Sequence, residues 1–190
     1  MLMVPLGGGN GRGGLLQVKP KYRFRVRVIN FGPIAGGIEL TQQVQSIGKP
    51  SLSHEPVQVH SYNSQAGYAG KTTWENISLV VKDDITNTVS RLVGHQVQKQ
   101  MNHFEQTGFT SGVNYKFVLL IETLDGGNDG VLETWTLEGC YLEGVEWGDL
   151  DYSDSQFQTI TMNIHYDNAT LNNGLMTALP ESIAGNAHLS

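Results

Sequence analysis

The sequence predicts a mainly β domain carrying one α-helix, and three observations support that prediction. Apolar and polar residues alternate with period two in successive runs. Gly, Pro, Asn and Asp punctuate those runs, and a single segment switches to helical spacing. Hydrophobic residues make up 39% of the 190 residues and Gly contributes 23, which suits one domain with a modest core and long turns or arms.

Residues 1–20 form a glycine-rich leader, with Gly7, Gly8, Gly9, Gly11, Gly13 and Gly14 around Asn10 and Arg12. Such a composition does not offset its own ordering entropy, so a flexible arm is expected. It lacks the Lys-Ser/Thr pair of a nucleotide P-loop. The β domain is expected over 21–167. In Tyr22 to Phe31, Tyr22, Phe24, Val26 and Val28 share one face and Arg23, Arg25 and Arg27 the other, and Gly32-Pro33 closes the strand. Ile38–Ile47, Pro56–Tyr62 and Thr72–Val81 read as further strands. A helix near 84–105 follows, capped by Asp83 or Asp84, with Ile85, Val89, Leu92, Val93, Val97, Met101 and Phe104 on one face and Gly108 as its stop. One such amphipathic helix is expected to cover one face of a sheet. Tyr115–Thr123 and Leu132–Leu142 flank the turn residues Asp125 to Gly130 and predict a hairpin. The last strand, Gln156–Tyr166, places Ile160, Met162, Ile164 and Tyr166 on one side, and 168–190 reads as a tail or arm.

Charge is distributed unevenly. Residues 1–116 hold all twelve Lys and Arg against six acids, a net of +6. Residues 117–190 hold twelve acids and no Lys or Arg, a net of -12. If the two parts occupy different surfaces, the molecule has an electrostatic head and tail, which favours heterologous contacts that close into rings or continue as filaments. If the fold intermixes them, the asymmetry cancels.

The basic cluster Lys19, Lys21, Arg23, Arg25, Arg27 has three readings: a solvated strand face, a subunit contact or a phosphate-binding surface. No aromatic shares the arginine face for base stacking, and the chain as a whole is acidic. Asp149, Asp151 and Asp154 resemble the start of a calcium loop, but Asp154 stands where Gly is required and Ile160 where Glu is required. A solvated turn is the expectation there, with weak cation binding the alternative. Cys140 is the only cysteine and reads as a small buried apolar side chain rather than a reactive thiol. The six histidines form no HExxH or zinc spacing, and no nucleophile elbow occurs, so neither an enzyme nor a cofactor site is expected. No stretch approaches the ~18 apolar residues of a membrane helix, and a soluble protein made in the cytoplasm is expected.

Two segments carry a family resemblance. Trp74-Glu75-Asn76-Ile77-Ser78-Leu79-Val80-Val81, then Lys82-Asp83-Asp84 and the helix, resembles the middle of the tail tube proteins of contractile-tailed bacteriophages. Glu133 to Tyr141 resembles that family's strand entering a Gly-aromatic turn, and Leu150 to Ser155 with Phe157 to Tyr166 its last acidic turn and strand. The family often has Pro where Leu142 stands. The resemblance implies an antiparallel β-sandwich or partial barrel flanked by one helix, whose sheets join into a β-barrel ring in a hexamer. It further implies rings stacked into a hollow tube inside a contractile sheath, conducting double-stranded DNA without specific binding. The partners implied are other copies of the chain, the sheath, and the baseplate and tail terminator proteins, in a virion tail. Arg23, Arg25, Arg27, Asp149, Asp151 and Asp154 are the candidate inter-subunit or inter-ring contacts. The alternatives are the tube of a phage-tail-like bacteriocin or secretion system, or a β-sandwich receptor- or carbohydrate-binding module using Trp74, Trp135 or Trp147.

Overall fold

The computed structural model describes residues 19–108, 111–125 and 130–172. Residues 1–18 of the leader, the hairpin tip 126–129 and the tail from 173 onward lie outside them. Twelve strands and one α-helix are described: β1 Phe24–Phe31, β2 Ile34–Glu39, β3 Val44–Ile47, β4 Ser51–Ser61, β5 Ser64–Glu75, β6 Ile77–Lys82, α1 Thr88–Gln100, β7 Met101–Asn102, β8 Thr107–Gly108, β9 Phe117–Leu124, β10 Val131–Glu146, β11 Thr159–His165 and β12 Asn168–Asn172.

The alternation of apolar residues builds an antiparallel strip in the order β2-β1-β9-β10-β11-β6-β3, with β12 also on β10. The long strand β10 belongs to two sheets. Its first half pairs β9, through Trp135↔Ile121 and Leu137↔Leu119, and its second half pairs β11, through Leu142↔Ile164 and Val145↔Met162. The change of sheet occurs at a bulge, where Leu137 and Cys140 face Leu119 and Phe117 so that β10 carries one extra residue. Gly139 sits there at φ 68°, and a Cβ on it would strike the Asp167 carboxylate. The Gly-aromatic feature is therefore a bend within one continuous strand rather than a turn that ends it.

The strip folds its apolar faces together. Val26, Val28, Leu119, Ile121 and Leu137 meet Ile77, Leu79, Val81, Ile160, Met162 and Ile164, with Phe31 and Phe117 edge to face at 4.9 Å. Trp74 and Trp135 pack against this core, and Cys140 is fully buried within it. β12 extends the β domain past the expected boundary at 167. It continues the line of β11 along β10, through Thr136↔Thr170 and Glu138↔Asn168. The segments read as Ile38–Ile47 and Thr72–Val81 are each divided, by the turn at Thr41–Gln43 and by Asn76.

The helix is shorter than its apolar pattern. It begins after Asn87, at φ 54°, and Asp84 accepts the Thr88 backbone N–H from before the helix. It ends at Gln100, because Met101 turns extended and the Asn102 side chain accepts the Phe104 and Glu105 N–H groups. Ile85, Met101 and Phe104 continue the helical spacing but are exposed. Gly108 lies not at the helix stop but in β8, which pairs β7.

Val89 and Val93 are buried, and the helix seals one end of the β1–β9 sheet through two glutamines. Fully buried Gln96 accepts the Gly32 N–H and donates to the Tyr115 carbonyl. Gln100 donates to the Leu142 carbonyl and accepts its N–H, standing in for a neighbouring strand at that point of β10. Replacing Gln96 by Leu leaves the buried Gly32 N–H and the part-buried Tyr115 carbonyl without this partner, and about 1–3 kcal/mol of stability is lost. Gly139→Ala, forced to positive φ against Asp167, costs a similar ~1–3 kcal/mol. Denaturant unfolding of the two variants measures both values.

Candidate functional site

Two parts of the fold are left unfinished by the chain itself. The first is the β4–β5 hairpin, which continues the β3–β6 pair outward as a two-stranded ribbon from Ser51↔Glu75 to Ser61↔Ser64. Every residue of β4 is exposed, and on β5 only Gly70 and Trp74 are partly covered. One face of the ribbon carries Val57 opposite Tyr68 and Val59 opposite Ala66, all in water. At its base Trp74 packs on Tyr166 at 5.7 Å, and that is where the core stops. A two-stranded ribbon with an apolar face is marginal in water unless something covers it. Strands are legible in the sequence at Pro56–Tyr62 and from Thr72, but the long hairpin that joins them is not. The signal was present in Val57 and Val59 opposite Ala66 and Tyr68, yet the connecting residues Asn63 to Gly70 carry turn-type composition.

The second is the seam of the strip. β2 pairs β1 only from Arg27↔Glu39 to Phe31↔Ile34, so the Phe24 end of β1 lacks a β2 partner and faces β3 across a gap. A cavity of about 860 Å³ occupies that gap. Phe24, Val44, Ile47 and Ile121 form its apolar walls, and Lys19, Lys21, Arg23 and Lys49 stand around it.

One ionic cluster holds this end together. Glu133 accepts from Lys49, from Lys19 at 2.9 Å and from the Thr123 hydroxyl at 3.0 Å. Lys49 first and Lys19 next hold the Glu133 carboxyl at about 2, against the opposing effect of burial. This cluster is not legible in the sequence, because Lys49 and Glu133 are far apart along the chain and meet only through the fold.

The six candidate contact residues fall into two separate groups. Arg23, just before β1, and Arg25 and Arg27 within it are half-buried. Arg23 donates to the Asp125 carbonyl, Arg25 meets Glu122 of β9 at 3.2 Å, and Arg27 is in register between Glu39 and Leu120. Asp149, Asp151 and Asp154 lie in the exposed loop between β10 and β11. Asp151 accepts the Ser153 N–H and hydroxyl, which holds its carboxyl below the usual range, and Asp154 accepts the Gln156 N–H. The loop is thus a hydrogen-bonded turn, and among the described residues no cluster of three or more His, Cys, Asp or Glu is arranged to hold a metal ion.

The two oppositely charged parts of the sequence are partly intermixed. Arg25–Glu122, Lys19–Glu133, Lys49–Glu133 and Lys116–Asp167 all join one part to the other. The Asp167 carboxylate raises the Lys116 ammonium above its ordinary value. Burial pushes the Cys140 thiol up to about 12, so it is protonated and unreactive at neutral pH. Among the described residues no helix is long and apolar enough to cross a membrane.

The depressed value of Glu133 fixes the sign of a pH effect. A carboxyl charged more readily in the folded chain adds stability above its unfolded pKa and loses it as pH falls towards about 2. Thermal melting between pH 5 and pH 2 is therefore expected to fall less steeply in Glu133→Gln than in the natural chain. Parallel slopes would show that Glu133 is not linked to folding.

No protein-family model and no curated protein sequence matches the chain. Solved structures do. A chain of the anti-feeding prophage baseplate, 6-fold symmetrised, matches with a TM-score of 0.66 at 17% identity, over 84% of this chain and 99% of that one. A chain of the PVC sheath–tube complex, an extracellular contractile injection system in its extended state, matches with a TM-score of 0.62 at 13% identity, over 82% and 91%. The SPP1 tail tube matches with a TM-score of 0.56 at 13% identity, over 88% and 86%. The likeness at these identities is one of fold: this chain has the mainly β, one-helix architecture found in a phage tail tube and in assemblies of contractile injection systems.

Proposed function

We infer that this chain is a structural subunit that assembles with copies of itself into rings and stacks those rings into a hollow tube. The observation that carries the inference is the unfinished sheet: an open seam beside β3 and a ribbon with an uncovered apolar face. Edges and faces of this kind lead to uncontrolled association unless a defined neighbour completes them. Copies that lend one another those edges close a larger barrel, and closure removes the edges altogether. The fold likeness to a 6-fold symmetrised baseplate and to a phage tail tube supports a hexameric ring.

The finer reading is a tail tube inside a contractile sheath, with baseplate and terminator proteins at its ends and double-stranded DNA passing through. An acidic lumen would repel phosphate and let DNA slide rather than bind. The virion tail is the location that goes with this reading, and the role is structural rather than enzymatic. A tube of an injection system that carries no DNA is the second reading, favoured by the likeness to the PVC sheath–tube complex.

Negative-stain images of the purified protein test the assembly. Rings or rods that grow with concentration are expected, and single subunits at every concentration would refute it. Val57→Asp with Val59→Asp is expected to abolish rods while shifting subunit stability by less than ~0.5 kcal/mol, since both side chains face water in the subunit. Replacement of Arg23, Arg25 and Arg27 by Glu is expected to weaken assembly strongly. It also costs subunit stability through the loss of Arg25–Glu122.

A further inference from the structure

The acidic loop between β10 and β11 and the cationic cavity of the seam are complementary in charge and in shape type. The loop presents apolar side chains interleaved with acids: Leu150 is 85% exposed, Tyr152 wholly exposed, and Asp149, Asp151 and Asp154 stand beside them. The turn made by Asp151 with Ser153 and by Asp154 with Gln156 holds this projection in a defined form without covering its apolar members. The cavity presents the converse, Phe24, Val44, Ile47 and Ile121 within and Lys19, Lys21, Arg23 and Lys49 around them. Glu133 offsets one of those four cations, so the surround keeps a net positive charge. Leu150 and Tyr152 are left uncovered within one chain.

We propose that the loop 149–154 of one copy seats Leu150 and Tyr152 in the cavity of the next, with its aspartates meeting Lys21 and Arg23. The proposal rests on the self-assembly reading above and gives it a specific contact. A cavity of about 860 Å³ is of the size that takes a small molecule or a few large side chains. Burial of Leu150 and Tyr152 supplies the apolar contact, and the opposed charges fix register and disfavour wrong pairings. The loop and the cavity are built from different residues, so one copy uses both at once. That is the condition for a heterologous contact that closes into a ring or runs on as a stack, rather than stopping at a pair.

Two experiments on the full chain test this contact. In the first, Asp149, whose carboxylate takes no part in the turn, is changed to Lys in one variant, and Lys21→Glu with Arg23→Glu are made in another. Each reversal is expected to raise the concentration needed for assembly by about tenfold or more, and combining both sets is expected to restore it to within about threefold of the natural chain. A combined variant as defective as the worse single set overturns the proposal. In the second, which does not depend on those variants folding, a chain carrying Tyr152→Cys is mixed with a chain carrying Gln45→Cys under oxidation. Gln45 is exposed and lines the cavity, and the buried thiol of Cys140 leaves little background. A link between the two chains under assembling conditions is expected. Rods without any link overturn the proposal, as does a link from Gln45→Cys to Leu2→Cys in its place, which would seat the segment 1–18 in the cavity. Rods with neither link nor charge rescue remove this contact and leave self-assembly standing; absence of rings and rods removes the self-assembly reading itself.

Discussion

A strip of antiparallel strands whose two outer members do not meet is the constraint from which the rest of this structure follows. β2 and β3 are the ends of that strip, and the turn at Thr41–Gln43 brings them near one another without pairing them. Backbone donors and acceptors at such edges stay wet or find a partner, since burying them bare costs more than the fold has to spare. The Gly139 bulge creates the second half of the problem. By turning β10 from β9 towards β11, it folds the strip over its own core and leaves the seam between β1 and β3 as a gap.

The chain treats its ends differently. At one end, Gln96 and Gln100 use side-chain amides to answer backbone groups at Gly32, Tyr115 and Leu142, so the helix closes that end. At the other, Glu133 gathers Lys19 and Lys49, which ties the segment before β1 and the approach to β4 onto β10 and leaves the cavity beside them open. Exposed ion pairs of this sort add little stability individually, but they fix where neighbouring segments lie. The seam is therefore held open in a defined shape, which suits a surface that receives another copy.

Much of the fold was legible in the sequence because the core strands alternate strictly. Val26 and Val28, Ile77 to Val81, Leu119 and Ile121, and Ile160 to Tyr166 are buried as their period predicts. The helix was legible in its middle and overextended at both ends. Ile85, Met101 and Phe104 keep the helical spacing, but Asn87 and Asn102 redirect the backbone around Thr88–Gln100. The strand β12 is not legible because Asn168–Asn172 is mostly small and polar, and it is held by the ladder to β10 together with the single buried side chain Ala169. The cavity was not legible at all, since Phe24, Val44, Ile47 and Ile121 come together only in three dimensions. Of the candidate contact residues, the arginines at and just before β1 and the aspartates after β10 are two groups of opposite charge in the sequence, and Arg23 alone among the arginines lines the cavity.

Under self-assembly, the β4–β5 ribbon and the seam are completed by another copy of the chain. Amide hydrogen exchange at two protein concentrations measures this directly, residue by residue. Amides of β9 are expected to be protected in both, while amides of Ser51–Ser61 and Ser64–Glu75 exchange freely in dilute subunits and become protected when the protein is concentrated. A ribbon that is already protected in the isolated subunit, or that stays unprotected in the concentrated sample, would contradict it.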